Sequence, residues 1–211
     1  FHDEEAAVRA GTLWMDLIRD AVDRGMGGME LMAGIPGGIG GALRMNAGAF
    51  GREIEALTVE VAGCLTDGSP LTARRHDVDF GYRCAPQLER VVITSARFRF
   101  QSQDPRTLAA RMNEILELRA QKQPLDCPSC GSVFKRPPGY YAGALIEAAG
   151  LKGERIGGAE ISRRHAGFIL NVAEATATDV HRLIRHIEQR VFERFGVRLE
   201  REVRLVGDFE E

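Results

Sequence analysis

The segment GSVFKRP, Gly131 to Pro137, places one hydroxyl, Ser132, between a glycine and two cations, Lys135 and Arg136. A serine hydroxyl is a poor acid in water, but positive charge in a dry pocket favours the alkoxide left behind, so such a serine can donate a proton. The same residues also fit a basic turn with a capping serine. A second group lies in LEREVRLVG near the end of the chain. Read with period two, Leu199, Val203 and Leu205 point one way and Glu200, Glu202 and Arg204 the other, which predicts a strand from Arg198 to Val206. Two carboxylates and a guanidinium then share a face, as they would on a merely solvated strand.

The densest glycine segment is GIPGGIGGALRMNAGAFG, with glycines at 34, 37, 38, 40, 41, 48 and 51. Glycines let a backbone approach a ligand closely and aim successive N–H groups at an anion, so the segment fits a phosphate cradle. It is no Rossmann fingerprint, because Leu43 stands where the last glycine belongs, and no P-loop, because no glycine-lysine-serine or -threonine follows. A tight structural turn remains the alternative.

Several elements must position these groups. Trp14, Leu17, Ile18, Ala21 and Val22 share one helical face between Thr12 and Val22, and Gly25, Gly27 and Gly28 end that helix. Ala56 to Gly63 and Val91 to Phe100 are rich in β-branched and aromatic residues and predict strands, the second passing from buried to half-exposed. Asp104-Pro105 is a helix start, with an acceptor at the N-cap and proline at the first helical position. Leu108, Met112, Ile115 and Leu116 form the stripe of that helix, and the change of element places a domain boundary near Gln101 to Asp104, dividing the chain into 1–103 and 104–211. Further on, Ala142 to Ala149 predicts a helix closed by Gly150, Gly167 to Ala173 a strand, and Asp179 to Phe195 a helix stopped by Gly196.

A chain of 211 residues with 44% hydrophobic content can bury a substantial core. Its formal charge of -2 and pI near 6.3 argue against nucleic acid as a partner, although Arg163-Arg164-His165 is a local basic patch. There is no uninterrupted apolar run of membrane-spanning length, and Phe1-His2-Asp3-Glu4-Glu5 lacks the order of a signal peptide, so a soluble, cytoplasmic protein with no membrane partner is expected. Of four cysteines only Cys127 and Cys130 are close, as CPSC. Without a second ligand pair they make no zinc site, and prolines at 124 and 128 put them in a loop rather than at a helix start, so ordinary thiols and no metal are expected.

Taken in order, GIPGGIGGALRMNAGAFG, FGYR, QKQP, GSVFKRP, AGALIEAAGLKG and FGVRLEREVRLVG resemble the UDP-N-acetylenolpyruvoylglucosamine reductases, or UDP-N-acetylmuramate dehydrogenases, over nearly the whole chain. The resemblance implies an α+β fold, with an FAD-binding domain followed by a smaller substrate domain. It implies a flavoenzyme in which FAD is reduced by NADPH and UDP-N-acetylglucosamine enolpyruvate is then reduced to UDP-N-acetylmuramate for peptidoglycan. By resemblance the catalytic residues are Arg83, which neutralises the developing carboxylate charge, Ser132, which delivers the proton, and Glu202, a hydrogen-bonding partner to the enolic group. Gly34, Gly37, Gly38, Gly40, Gly41, Asn46 and Gly48 would hold the diphosphate side of FAD, and Lys122, Lys135 and Arg204 the substrate, in a monomer.

The chain departs from its relatives at Ala85, commonly serine, and at Arg136, commonly asparagine. It also opens at Phe1 without their earlier GSN-containing turn, so an FAD-binding domain lacking its N-terminal part is expected. A non-catalytic nucleotide-sugar-binding module that does not retain FAD is the alternative. A sugar oxidase on a related flavin fold would not need the proton-donating serine.

Overall fold

Trp14–Asp23 is helical because its apolar residues fall on one face, and Trp14, Leu17, Ile18, Ala21 and Val22 are all buried there. In the computed structural model, which describes residues 1–209, this helix belongs to the first of two compact units, Phe1–Arg119; the second begins at Ala120. The fold is α+β, and each unit has its own core.

The first unit is built on a four-stranded antiparallel sheet in the order Glu5–Arg9, Val91–Arg99, Thr58–Leu65, Pro70–Arg74. Phe98, Val61 and Ala96 from the sheet meet Trp14, Ile18, Met32, Ile39 and Leu43 in the core. The strand expected to pass from buried to half-exposed does something different. Val91 is buried and Val92 exposed, whereas Ala96 and Phe98 are buried and Arg97 exposed. The inward phase changes where the register against Thr58–Leu65 shifts between Ala62 and Gly63, because the extra residue of a bulge turns every later side chain to the other face.

Asp104 caps the next helix as expected, its Oδ2 accepting from the Thr107 amide at 2.9 Å. The helix Pro105–Lys122, however, buries Leu108 and Ile115 in the first core, and the compact units divide at Arg119 and Ala120 rather than near Gln101 to Asp104. Its start is tied there by pairing of Met26–Gly27 with Gln101–Ser102 and by the Gln103 amide donating to Gly25 O at 2.8 Å.

The second unit has an antiparallel sheet in the order Arg155–Ile156, Ala159–Ile161, Phe168–Asn171, Ser129–Ser132. Ala142–Ala148 and Ala177–Phe195 supply Leu145, Ile146, Leu183, Ile184, Ile187 and Val191 to its core. Thr176 and Asp179 form a capping box before the long helix, and Gly196, at φ 67°, closes it in the left-handed conformation that a residue without Cβ adopts freely. The expected strand from Arg198 to Val206 is not formed. Among residues 198–206 a strand bridge forms at Arg201, to Phe134, and toward Arg198 the pairing stops because Pro137 and Pro138 have no N–H to extend it. Leu199 and Val203 pack against the core as the alternation required, but Leu205 is exposed.

Candidate functional site

The glycine segment folds around a short helix, Ile39–Arg44, held against the preceding chain. The Gly40 amide donates to Ala10 O at 2.9 Å and the Ile39 amide to Thr12 O at 3.0 Å, so these two N–H groups are engaged within the protein rather than aimed at an anion. Added Cβ atoms at Gly38 and Gly40 would stand 3.1 Å from Ala10, and one at Gly48 would stand 2.4 Å from Arg52 O. Those glycines answer close packing. Gly37 and Gly41 differ, since a Cβ at either would meet nothing within 4 Å, and Gly37 has φ 111°. Here the bare backbone lies beside open space, as a surface for close approach of a ligand requires.

Asn46 is fully buried and joins this segment to the FGYR turn. Its Nδ2 donates to Glu53 Oε2 at 2.8 Å and to Gly81 O at 3.1 Å, while its Oδ1 accepts from the Glu55 amide at 3.3 Å. Removing it strands these groups in a water-poor setting. Asn46→Ala is therefore expected to cost about 2–3 kcal/mol in a denaturant titration. A cost below roughly 0.5 kcal/mol would mean that water replaces the side chain without penalty.

Gly81 and Cys84 exchange backbone hydrogen bonds of 3.0 and 3.2 Å, leaving Tyr82 and Arg83 at the tip of a tight turn. Arg83 has φ 56°, a conformation that such a turn usually gives to glycine. Its Nη2 donates to Gly48 O at 3.3 Å and its guanidinium lies 5.1 Å from the Tyr82 ring centre. Arg83, Asn46 and the glycine segment are thus brought together in the first unit. The last turn of the Pro105–Lys122 helix adds Arg119, to which no role was assigned from sequence. Its Nε is buried without a hydrogen-bond partner, a Cβ on Gly34 would stand 2.6 Å from its Cδ, and its guanidinium is 5.7 Å from the Phe50 ring. Burial pushes its pKa below the ordinary arginine value. Arg119 continues the stripe of Leu108, Met112, Ile115 and Leu116, which is the signal that could have found it.

In the second unit Ser132 ends the strand Ser129–Ser132, directly after Gly131 at φ 78°, and is exposed. Val133 and Lys135 continue antiparallel to the C-terminal segment. Val133 O accepts from the Glu202 amide at 2.8 Å, and the Lys135 amide donates to Glu200 O at 2.8 Å. Val133, the residue after Ser132, is thereby the backbone partner of Glu202, although no continuous strand joins the two segments. Lys135 is ion-paired with Glu200 rather than aimed at the serine hydroxyl, and the Arg136 guanidinium lies 4.1 Å from the Tyr141 ring centre. Lys122 and Arg204 are exposed. Cys64, Cys84, Cys127 and Cys130 are free, and no group of three or more His, Cys, Asp or Glu among the described residues could hold a metal ion. No helix among the described residues is long and apolar enough to cross a membrane.

This arrangement can be compared with known proteins. The family model described as the C-terminal domain of UDP-N-acetylenolpyruvoylglucosamine reductase matches residues 123–206, the part that carries Ser132 and Glu202. The UDP-N-acetylenolpyruvoylglucosamine reductase of Pediococcus pentosaceus is 47% identical over 205 residues, which are 97% of this chain and 68% of that protein. The chain belongs to the UDP-N-acetylenolpyruvoylglucosamine reductase family. The reductase of Lactiplantibacillus plantarum is likewise 47% identical, over 206 residues, with 97% of this chain and 68% of the relative covered. Among solved structures, UDP-N-acetylenolpyruvylglucosamine reductase from Thermus caldophilus superposes with a TM-score of 0.82 at 35% identity, covering 96% of this chain and 73% of that one. Family membership supports an oxidoreductase of peptidoglycan synthesis and accounts for the α+β fold expected from the motifs.

Proposed function

We propose that this chain carries out the FAD-dependent, NADPH-driven reduction of UDP-N-acetylglucosamine enolpyruvate to UDP-N-acetylmuramate, as a cytoplasmic monomer serving cell-wall growth, cell shape and division. The observation that carries this reading is the backbone hydrogen bond from the Glu202 amide to the carbonyl of Val133, the residue after Ser132. It supports Ser132 and Glu202 acting together in the unit to which the family's C-terminal description applies.

Two features of the first unit fit a bound FAD. Gly37 and Gly41 offer backbone with no atom of the described residues where a side chain would stand, and Arg119 offers a buried cationic Nε with no partner among the described residues, beside Gly34. A diphosphate or a flavin carbonyl suits both, since each accepts hydrogen bonds and tolerates no intervening Cβ. Gly34, Gly37, Gly38, Gly41, Asn46 and Gly48 would form or support that cradle. Gly40 would do so by packing on Ala10, its N–H being engaged.

When bound, FAD reduced by NADPH supplies a hydride to the terminal carbon of the enolpyruvyl double bond. Negative charge then develops in the substrate's carboxylate and must be met by fixed donors. The planar fork of Arg83 suits a carboxylate, and the strained turn holds it ready. Ser132 Oγ gives its proton to the carbon beside the carboxylate. Glu202 hydrogen-bonds the enolic group, a role it fills as the protonated acid or by ordering a water. Lys122, Lys135 and Arg204 would face the anionic remainder of the nucleotide sugar.

The test is to mix the purified chain with FAD, pass it through gel filtration, and read the visible spectrum. A shifted flavin band that elutes with protein, is bleached by NADPH, and returns as UDP-N-acetylmuramate forms is the expected result. A folded chain that retains no flavin but still binds the nucleotide sugar would replace this reading with that of a non-catalytic binding module.

A further inference from the structure

His165 occupies the loop between the strands Ala159–Ile161 and Phe168–Asn171, beside the two arginines of the local basic patch. Its Nδ1 accepts a hydrogen bond from the Gly167 amide at 3.1 Å. The carbonyl of that same Gly167 accepts from the Val133 amide at 2.9 Å, and the next residue, Phe168, pairs in register with Ser132. Two hydrogen bonds, one on the amide and one on the carbonyl of Gly167, therefore link the imidazole through that residue to the one that follows Ser132.

The ring is closely fitted. A Cβ on Gly143 would stand 3.2 Å from His165 Cε1 and one on Gly167 would stand 3.0 Å from it, so the imidazole edge enters a space that only two glycines leave. The Phe168 ring meets it edge-on with centroids 5.0 Å apart. Ser162, buried, fixes the loop by accepting from the amides of Arg164 and His165, each at 3.2 Å.

We propose that His165, as the neutral imidazole, is a positioning residue for Ser132: its Nδ1 holds the Gly167 amide and so fixes the residue whose carbonyl, in the next peptide, holds the Val133 amide and with it the backbone at Ser132. This rests on the reading of Ser132 as proton donor. A protonated imidazole carries N–H at both nitrogens, so it turns the acceptor toward Gly167 into a donor facing a donor, and the link opens. Burial holds the pKa of His165 below its ordinary 6.5 and Lys152 acts in the same direction, while its own backbone hydrogen bond and Glu147 oppose them. Lys152 and Glu147 are themselves ion-paired at 2.6 Å, and the loop's own cations are paired too, Arg163 with Glu160 and Arg164 with Asp126. The folded state therefore favours the neutral ring. The positioning contact is present above the depressed value and is lost as pH falls through it.

Two variants separate this role from simple packing. In His165→Asn the amide oxygen can still accept from the N–H two residues on, as in an Asx turn, and does not titrate. In His165→Phe the ring remains but the acceptor is gone. As pH falls below the ordinary 6.5 the Gly167 amide shift of the wild type should titrate, with a smaller hydrogen-exchange protection factor at Val133 in acid, and neither change should occur in His165→Asn. In flavin-loaded protein, reoxidation by the enolpyruvyl substrate should show an acid limb in the wild type and none in His165→Asn, and should be about tenfold slower in His165→Phe throughout. A Gly167 amide that does not titrate, or an acid limb that persists in His165→Asn, overturns the proposal. Slow reoxidation in Ser132→Ala together with a wild-type rate in His165→Phe removes the positioning role alone. A wild-type rate in Ser132→Ala removes the proton-donor reading on which it rests.

Discussion

Replacing Ser132 with alanine is expected to leave reduction of the flavin by NADPH within about twofold of wild type and to slow its reoxidation by the enolpyruvyl substrate by roughly a thousandfold, the scale of a lost general acid. The two half-reactions differ in what they ask of the hydroxyl. Hydride arriving from NADPH needs no proton at the substrate carbon, whereas turnover of the enolpyruvyl group leaves a carbanion-like centre that must be protonated. Ser132 is exposed at the end of its strand, so the substitution removes no core contact and should not unfold the second unit. Stopped-flow absorbance of the flavin in each half-reaction decides the matter. Equal slowing of both would show that the serine acts on the flavin or on the fold rather than as a proton donor.

Arg83 carries the second large expectation. Arg83→Lys keeps a positive charge but loses the planar fork and the donor that reaches Gly48 O, and reoxidation should fall by about a hundredfold, as when one charge-stabilising donor is lost. Arg83→Gly is the informative companion. At φ 56° a non-glycine residue is strained by on the order of 1 kcal/mol, so the glycine variant should be at least as stable as wild type while reducing no substrate. A protein keeps strain at a residue that performs work there. If Arg83→Gly instead unfolds at markedly lower denaturant, the arginine serves the turn itself, and if Arg83→Lys reoxidises within about twofold of wild type, charge alone suffices.

Much of the local structure was legible because it depends on neighbours in sequence. Asp104-Pro105 announces a helix through a hydrogen bond to Thr107 three residues on, and Gly196 ends another through its own backbone freedom. The apolar stripe from Trp14 to Val22 needed only the helical period. Two expectations that depended on distant partners came out differently. Val91 to Phe100 alternates as written, yet its inward phase reverses at a bulge whose register is set by Thr58–Leu65. Arg198 to Val206 alternates too, but toward Arg198 the segment it lies against reaches Pro137 and Pro138 and can pair no further.

The site divides along the same line. The sequence by itself determined the family and the α+β class and put forward Arg83, Ser132 and Glu202 as candidates, because residue type and motif order are local properties. Only the tertiary structure decided what each is joined to: Asn46 bound to the Arg83 turn through Gly81, Lys135 drawn to Glu200, Arg119 buried without a partner beside Gly34, and His165 linked through Gly167 to the residue after Ser132. Hydrogen bonds and burial depend on which distant segments meet, and that is settled by the cooperative packing of a core rather than by the order of residues along the chain.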